Sequence, residues 1–294
     1  MEYILKNEQL EVRFQSFGGA LSSIRDKDNT EYLWQGNPAY WSGQAPVLFP
    51  ICGSIRNDKA WTRTGKKLEM PRHGIVRKKE FFCAGQTEET IVFVLDSDEK
   101  MLEQYPYPFR LEIEYELTGS QIKIKYRVVN RGMDEMPFQI GGHPGFNCPF
   151  SMSESYEDYY LEFSEEETCD VPTPVTETGL IDMTHRSPFL EGQKHLQLCH
   201  ELFEKDAVIL DGLKSRSVKL LSRNHGKGVQ IDFDGFPYLI LWSSANCGPF
   251  IALEPWIGLS TCSDEGDVFE EKRNMQFVAY GESREYVFCI RILP

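Results

Sequence analysis

Three things are missing from this 294-residue chain: a long apolar run, a clustered basic face, and any grouping of cysteines at metal-ligand spacing. No apolar stretch approaches the roughly 18–20 residues that span a bilayer, and the opening MEYILKNEQLEVRF lacks the basic-then-apolar order of an export signal. A cytoplasmic protein with no membrane partner is therefore expected. Binding a nucleic-acid duplex requires clustered Lys and Arg to neutralise phosphates. Here the formal net charge is −14, the isoelectric point is near 5.0, and the one small basic group is RKK at 77–79. No nucleic-acid partner is expected. The eight cysteines, at 52, 83, 148, 169, 199, 247, 262 and 289, include no C-x-x-C pair, so they read as reduced, mostly buried thiols.

Helical periodicity is also scarce, whereas alternation with period two is nearly everywhere. In FRLEIEYEL the residues Phe109, Leu111, Ile113, Tyr115 and Leu117 alternate with Arg110, Glu112, Glu114 and Glu116. QIKIKYRV repeats the pattern after the turn TGSQ, with Lys123, Lys125 and Arg127 on its polar face. A hairpin results, in which three acids lie beside three bases. The same test predicts strands over 2–6, 9–15, 90–96, 217–222, 228–234, 237–243, 249–254, 275–280 and 285–293. Helix is predicted only over 187–203 (SPFLEGQKHLQLCHELF) and as a short turn in DEKMLEQY. The acidic SMSESYEDYYLEFSEEETCD has neither phosphate-binding glycines nor calcium-loop spacing and reads as a solvated connection with a short strand. Many strands at short spacing, with no Pro- or Ser-rich linker, predict one all-β domain over 1–294, an antiparallel sandwich.

A few polar residues stand where this pattern breaks. His143 interrupts FQIGGHPGFNCPF between Gly142 and Pro144, and His73 precedes a glycine in MPRHGIVRKKEF. Arg56 follows an apolar run in APVLFPICGSIRND, and Asp206 immediately precedes the strand of LFEKDAVIL. Taken singly, each has a plainer reading as a turn residue. Glu254 differs, because alternation in FIALEPWIG puts it on one face with Phe250 and Ala252, where an unpaired charge is costly. His185, His195, His200 and His225 suggest no function: the spacing of His195 and His200 takes them off one helix face, and His225 falls in a hairpin loop.

A histidine and a glutamate together can give and take protons near neutral pH. Sugar ring opening needs that pair and no cofactor. A base takes the proton of the anomeric hydroxyl, an acid protonates the ring oxygen, and the open aldehyde recloses on its other face after rotation about one bond.

The segments PVLFPICGSIRND, PRHGIVRKKEF, GGHPGFNCPF, LFEKDAVIL, FPYLILWS and FIALEPWIG, in that order, resemble the aldose 1-epimerases (galactose mutarotase-like proteins), most closely the LacX-like branch. The resemblance implies a β-supersandwich with an open sugar cleft on one sheet. It implies His143 as general acid, Glu254 as general base, His73 as the supporting histidine and Asp206 as a ligand of ring hydroxyls. Two positions depart from the family pattern. Ser54 of GSIRND stands where an arginine is usual, which leaves Arg56 to take over, and Gly145 replaces a common aromatic, which would remove one wall of the site. A sister branch acting on glucose 6-phosphate carries an HGFAR-like motif, so Arg77, with Lys78 and Lys79, implies a phosphate as the alternative ligand. The expected partner is thus a sugar or sugar phosphate, with a homodimer left open. Two further readings are a non-catalytic sugar-binding protein and a glycoside hydrolase, the latter less favoured because it usually needs two flanking carboxylates.

Overall fold

The nine-stranded antiparallel sheet that forms one layer is assembled from strands far apart in sequence. In a computed structural model, which describes residues 1–293, its order runs Leu180–Gln197, Tyr159–Val175, Ser217–Ser222, Gly228–Asp232, Ser283–Leu293, Gln121–Asn130, Phe109–Thr118, Thr90–Asp96, Phe82–Gln86. A six-stranded sheet faces it, ordered Val208–Leu210, Tyr238–Trp242, Phe250–Trp256, Gly141–Gly142, Val47–Leu48, with Gly145–Asn147 also paired to Phe250–Trp256. Glu2–Lys6, Leu10–Gln15 and Ala20–Asp26 form a three-stranded sheet at the N-terminus. This is the antiparallel β-supersandwich that the sequence predicts. Among the described residues no helix is long and apolar enough to cross a membrane.

The hairpin with opposed charges forms in the expected register, pairing Lys123 with Glu116, Lys125 with Glu114 and Arg127 with Glu112. Their ion-pair distances are 3.2, 2.9 and 3.1 Å. The opposite face of the same two strands buries Leu111, Ile113 and Tyr115 with Ile122, Ile124 and Tyr126. That face packs directly under the six-stranded sheet. The Phe49 and Phe109 rings meet at 4.8 Å, and a Cβ on Gly142 would lie 2.8 Å from the Phe288 ring. Only a glycine lets the strand before His143 settle this deeply, so the next side chain is delivered to the outer surface of the sheet. Truncating one of these fully buried phenylalanines to alanine would cost about 3–5 kcal/mol.

Two expectations are overturned together. The segment 187–203 is not helical: Leu180–Gln197 is an 18-residue strand, followed by a 3₁₀ turn at His200–Phe203. Its partner begins in the acidic stretch, where Tyr159–Val175 is a 17-residue strand in place of the short strand expected within a solvated connection. Pro188 and Gly192 disfavour helix, and the buried Leu190, Leu196 and Leu198 are separated by even numbers of residues, which suits a strand. His195 thereby lies opposite Glu162, at 3.3 Å, and His225 is only partly solvated, because its Nε2 meets Glu154 at 3.1 Å. The short turn at DEKMLEQY does become a helix, Glu99–Gln104, with Asp98 accepting from the Met101 N–H.

The charge ladder gives a test. Glu114→Lys places like charges opposite one another and should destabilise the protein by about 1 kcal/mol in urea unfolding, with part of the loss recovered in high salt. An unchanged midpoint would show that the ladder contributes nothing to the fold.

Candidate active site

A cavity of about 250 Å³ opens on the outer face of the six-stranded sheet. Ile240 and Trp242 come from one strand, Glu254 and Trp256 from its neighbour, and His73, Arg72, Asp206 and Trp41 from loops around them. The alternation that singled out Glu254 holds. Ile240 pairs with Glu254 and Trp242 with Ala252, so the inward-facing residues of both strands form the cleft floor.

His143 and Glu254 meet there, with Nε2 and Oε2 3.3 Å apart and both side chains buried. The same carboxylate oxygen accepts the Trp256 Nε1–H at 3.1 Å, which fixes the group and leaves its other oxygen free. Burial drives both groups toward neutrality. It lowers His143 to about 3, helped by the charges of Arg72 and Arg77, and it raises Glu254 well above the carboxylate range, against the opposing pull of Arg72. A contact this short would favour an ion pair in water. Burial opposes it, favouring a neutral imidazole facing a protonated carboxyl. Moving one proton across the contact converts this into imidazolium and carboxylate, so the pair holds one transferable proton in either form.

His73 belongs to the same cluster, with its ring centroid 5.4 Å from that of His143 and 5.5 Å from that of Trp256. Its Nδ1 accepts the Gly53 N–H at 3.2 Å, which leaves the ring proton on Nε2, and burial, then the charges around it, holds the ring well below the usual histidine range. The turn is tight: His73 has φ 69°, and a Cβ on Gly74, φ +77°, would lie 2.1 Å from the Phe49 carbonyl oxygen. Asp206, also in the left-handed region at φ 97°, is held by the Ala207 N–H at 2.9 Å and faces Arg72 at 3.7 Å.

Of the residues expected in the site, His143, Glu254, His73, Asp206 and Arg77 come together around the cleft. Arg56 does not. Its guanidinium pairs with Asp267 at 2.7 Å and donates to the Glu265 carbonyl at 3.0 Å, outside the cleft lining. The cation that lines the cleft instead is Arg72, which faces Asp206. The sequence reading passed over Arg72, although its position next to the His73–Gly74 turn was a signal.

The wall expected to be missing at Gly145 is present. A Cβ at Gly145 would lie 2.8 Å from the Trp41 indole, which occupies the space and stacks on His143 with centroids 4.7 Å apart and planes at 24°. Trp41 comes from a Gly- and Ser-rich loop that carries no periodic signal, so only an aromatic residue inside a polar loop hinted at it.

A supersandwich whose open cleft holds a buried acid–base pair is the architecture of a sugar-ring isomerase, and comparison with known proteins gives the same class. The aldose 1-epimerase family model matches residues 1–270. The plasmid-encoded protein LacX of Lactococcus lactis subsp. lactis is 50% identical over 294 residues, covering 98% of each chain. The X-ray structure of a galactose mutarotase related enzyme from Lactobacillus acidophilus superposes with TM-score 0.94 at 28% identity, covering 100% of this chain and 98% of that one. A galactose mutarotase-like protein from Lactobacillus casei gives TM-score 0.87 at 25% identity, covering 100% of both chains. The chain belongs to the aldose 1-epimerase family.

The His73 turn is the place to test how the site is held. Gly74→Ala should cost about 2 kcal/mol or more, since it adds left-handed strain to a collision with backbone. Thermal unfolding measures the cost, and a midpoint equal to wild type would mean that the turn adapts freely.

Proposed function

We propose that the chain interconverts the α and β anomers of a free aldohexose through the His143–Glu254 pair. The observation that carries this reading is the 3.3 Å contact between a histidine and a carboxylate on the cleft floor, both buried and poised around one shared proton. In the imidazolium–carboxylate form, Glu254 takes the anomeric hydroxyl proton while His143 delivers one to the ring oxygen. The bond from the anomeric carbon to the ring oxygen breaks, leaving an aldehyde. After rotation the ring hydroxyl adds to the other face of the aldehyde. His143 then recovers its proton from that hydroxyl, and Glu254 returns one to the new anomeric oxygen. Protons balance over the cycle, and no redox partner or metal takes part.

The neighbouring groups suit the charge changes. His73, with its proton on Nε2, can donate a hydrogen bond to an oxygen on which negative charge develops, and its depressed basicity keeps it from competing for the transferred proton. Asp206 and Arg72 offer an acceptor and a donor at the rim for ring hydroxyls. The indole faces of Trp41, Trp242 and Trp256 supply the apolar surface that a sugar ring's C–H groups cover.

A second reading, the anomers of a hexose 6-phosphate as substrate, is favoured by Arg77. This guanidinium is half-buried, and the influences on it are burial and the like charge of Arg72, with no carboxylate offsetting them among the described residues. A phosphate would supply the missing partner.

Proton NMR exchange between anomers, run on galactose, glucose and glucose 6-phosphate, separates the readings. Wild type should accelerate exchange of at least one sugar, and Glu254→Gln should lose about 10²- to 10⁴-fold. A glutamine variant at full rate refutes the role of Glu254, and no acceleration of any sugar turns the reading to a binding protein. Arg77→Ala should raise KM for the phosphorylated sugar alone if that is the substrate. The same glutamine variant should be at least as stable as wild type in thermal unfolding, because it removes a carboxyl that burial already resists ionising.

The pH profile is a separate check. The active pair holds one proton and is lost when a second is added, so kcat/KM should hold its neutral value well below pH 6.5 and fall only toward the depressed His143 value of about 3. On the alkaline side it falls as the last proton leaves. A half-maximal point near the ordinary histidine value would contradict the buried neutral pair.

A further inference from the structure

We propose that Trp41 positions the His143 imidazole and sets the size of the substrate, standing as a wall between the catalytic cleft and a second, larger cavity. The imidazole has little else to orient it. Its Nδ1 is buried and makes no hydrogen bond to another residue among those described, so the ring's one polar contact with a neighbouring side chain is that of Nε2 with Glu254. A ring held at one nitrogen can swing about that contact, and aromatic packing must supply the restraint that a second hydrogen bond usually gives. Trp41 stacks on one face of the imidazole at 4.7 Å, and Trp242 meets it edge-on at 5.6 Å.

Trp41 is itself fixed. Its indole stacks on Phe250 at 5.5 Å and 26°, and meets Trp242 at 5.4 Å and 86°. Its backbone N–H donates to Asn37 at 3.0 Å, and its carbonyl accepts the Trp34 Nε1–H at 2.8 Å. Gly43 and Gly145 leave room for the indole, since a Cβ on either would come within 2.6 and 2.8 Å of it.

Beyond Trp41 lies a cavity of about 480 Å³, nearly twice the catalytic cleft of about 250 Å³. Both are bounded by Trp41, Pro46 and Arg77. The outer cavity adds Phe17, which is 53% exposed, together with Gln15 and Lys78, a mixture of aromatic face and polar donors suited to a second sugar ring. With Trp41 in place the reacting cleft is small, below the roughly 300–1,000 Å³ of drug-sized ligand pockets. Without it the two spaces join. The size limit rests on the epimerase reading; the positioning of His143 does not.

The test uses Trp41→Ala, Trp41→Phe and Gly145→Ala, the last of which pushes a methyl group into the indole and keeps the question open if the first variant fails to fold. Anomer exchange is followed on galactose, glucose and the reducing disaccharide lactose, and the His143 ring is titrated by NMR. The charged and titratable groups facing that ring are Glu254, His73, Arg72 and Arg77, all retained in the variants. Trp41→Ala and Gly145→Ala should lower kcat on the hexose at least tenfold and raise the lactose-to-hexose ratio of kcat/KM. They should also move the His143 midpoint up toward the ordinary histidine value, with Trp41→Phe close to wild type in all three. Rates and ratios within twofold of wild type, with the His143 titration unmoved, would overturn the proposal. Should wild type exchange no sugar, the epimerase reading fails with its size limit, and the His143 titration alone then decides the positioning role.

Discussion

The structure depends on keeping a histidine and a glutamate in contact with almost no exposure to water. Two ionisable groups buried 3.3 Å apart are a liability to stability, since each must be stripped of solvent and the attraction between them repays only part of that cost. The fold meets the cost in two ways. Burial favours the neutral form of each group, and each side chain is restrained by groups that do not themselves titrate near neutrality: the Trp256 indole N–H on the carboxyl and the Trp41 ring on the imidazole. The continuous core beneath, running from Leu5 to Ile292 through both large sheets, supplies the apolar burial that makes such a site affordable.

Backbone strain is present at the same place. His73 and Asp206 both have positive φ, at 69° and 97°, a region that costs a side-chain-bearing residue about 1–3 kcal/mol. Each is locked by a backbone bond, His73 by donating its N–H across to the Gly53 carbonyl of a separate loop at 2.7 Å and Asp206 by donating within its own turn to the Phe203 carbonyl at 3.1 Å. His143 and Glu254 sit instead on or beside strands. The residues proposed to move protons are thus carried by the sheet, and those proposed to grip a ligand are carried by strained loops, which matches rigidity to the demands of each task.

How much of this was legible depended on the range of the interaction that decided each element. The ladder at 109–130 was readable to the individual charge pair because a two-stranded register is local, and Glu254 was readable because alternation fixes its face. The long ribbon 159–197 was misread because its two strands are stabilised by each other, and the run SPFLEGQKHLQLCHELF, taken alone, has enough polar helix formers to hide an even-numbered apolar spacing. Arg56 looked like the site cation because sequence adjacency stood in for space. Asp267, 211 residues away, claims it, and Arg72 lines the cleft instead.

Net charge misleads for a related reason. A chain with formal charge −14 would be expected to repel anions, yet the groups acting on the buried histidines are the positive charges of Arg72 and Arg77. At about 0.15 M salt the field of a surface charge decays over roughly 8 Å, so the acidic exterior is screened from the cleft while two arginines at its edge are not. Arg72 and Arg77 both resist a proton on His143, and Arg72 also opposes the rise of Glu254. Arg72 offsets part of the effect of burial on the carboxyl, while both cations add to its effect on the imidazole, which gives Arg72 and Arg77 a bearing on the protonation of the proposed pair whether or not a ligand carries a phosphate for them to bind.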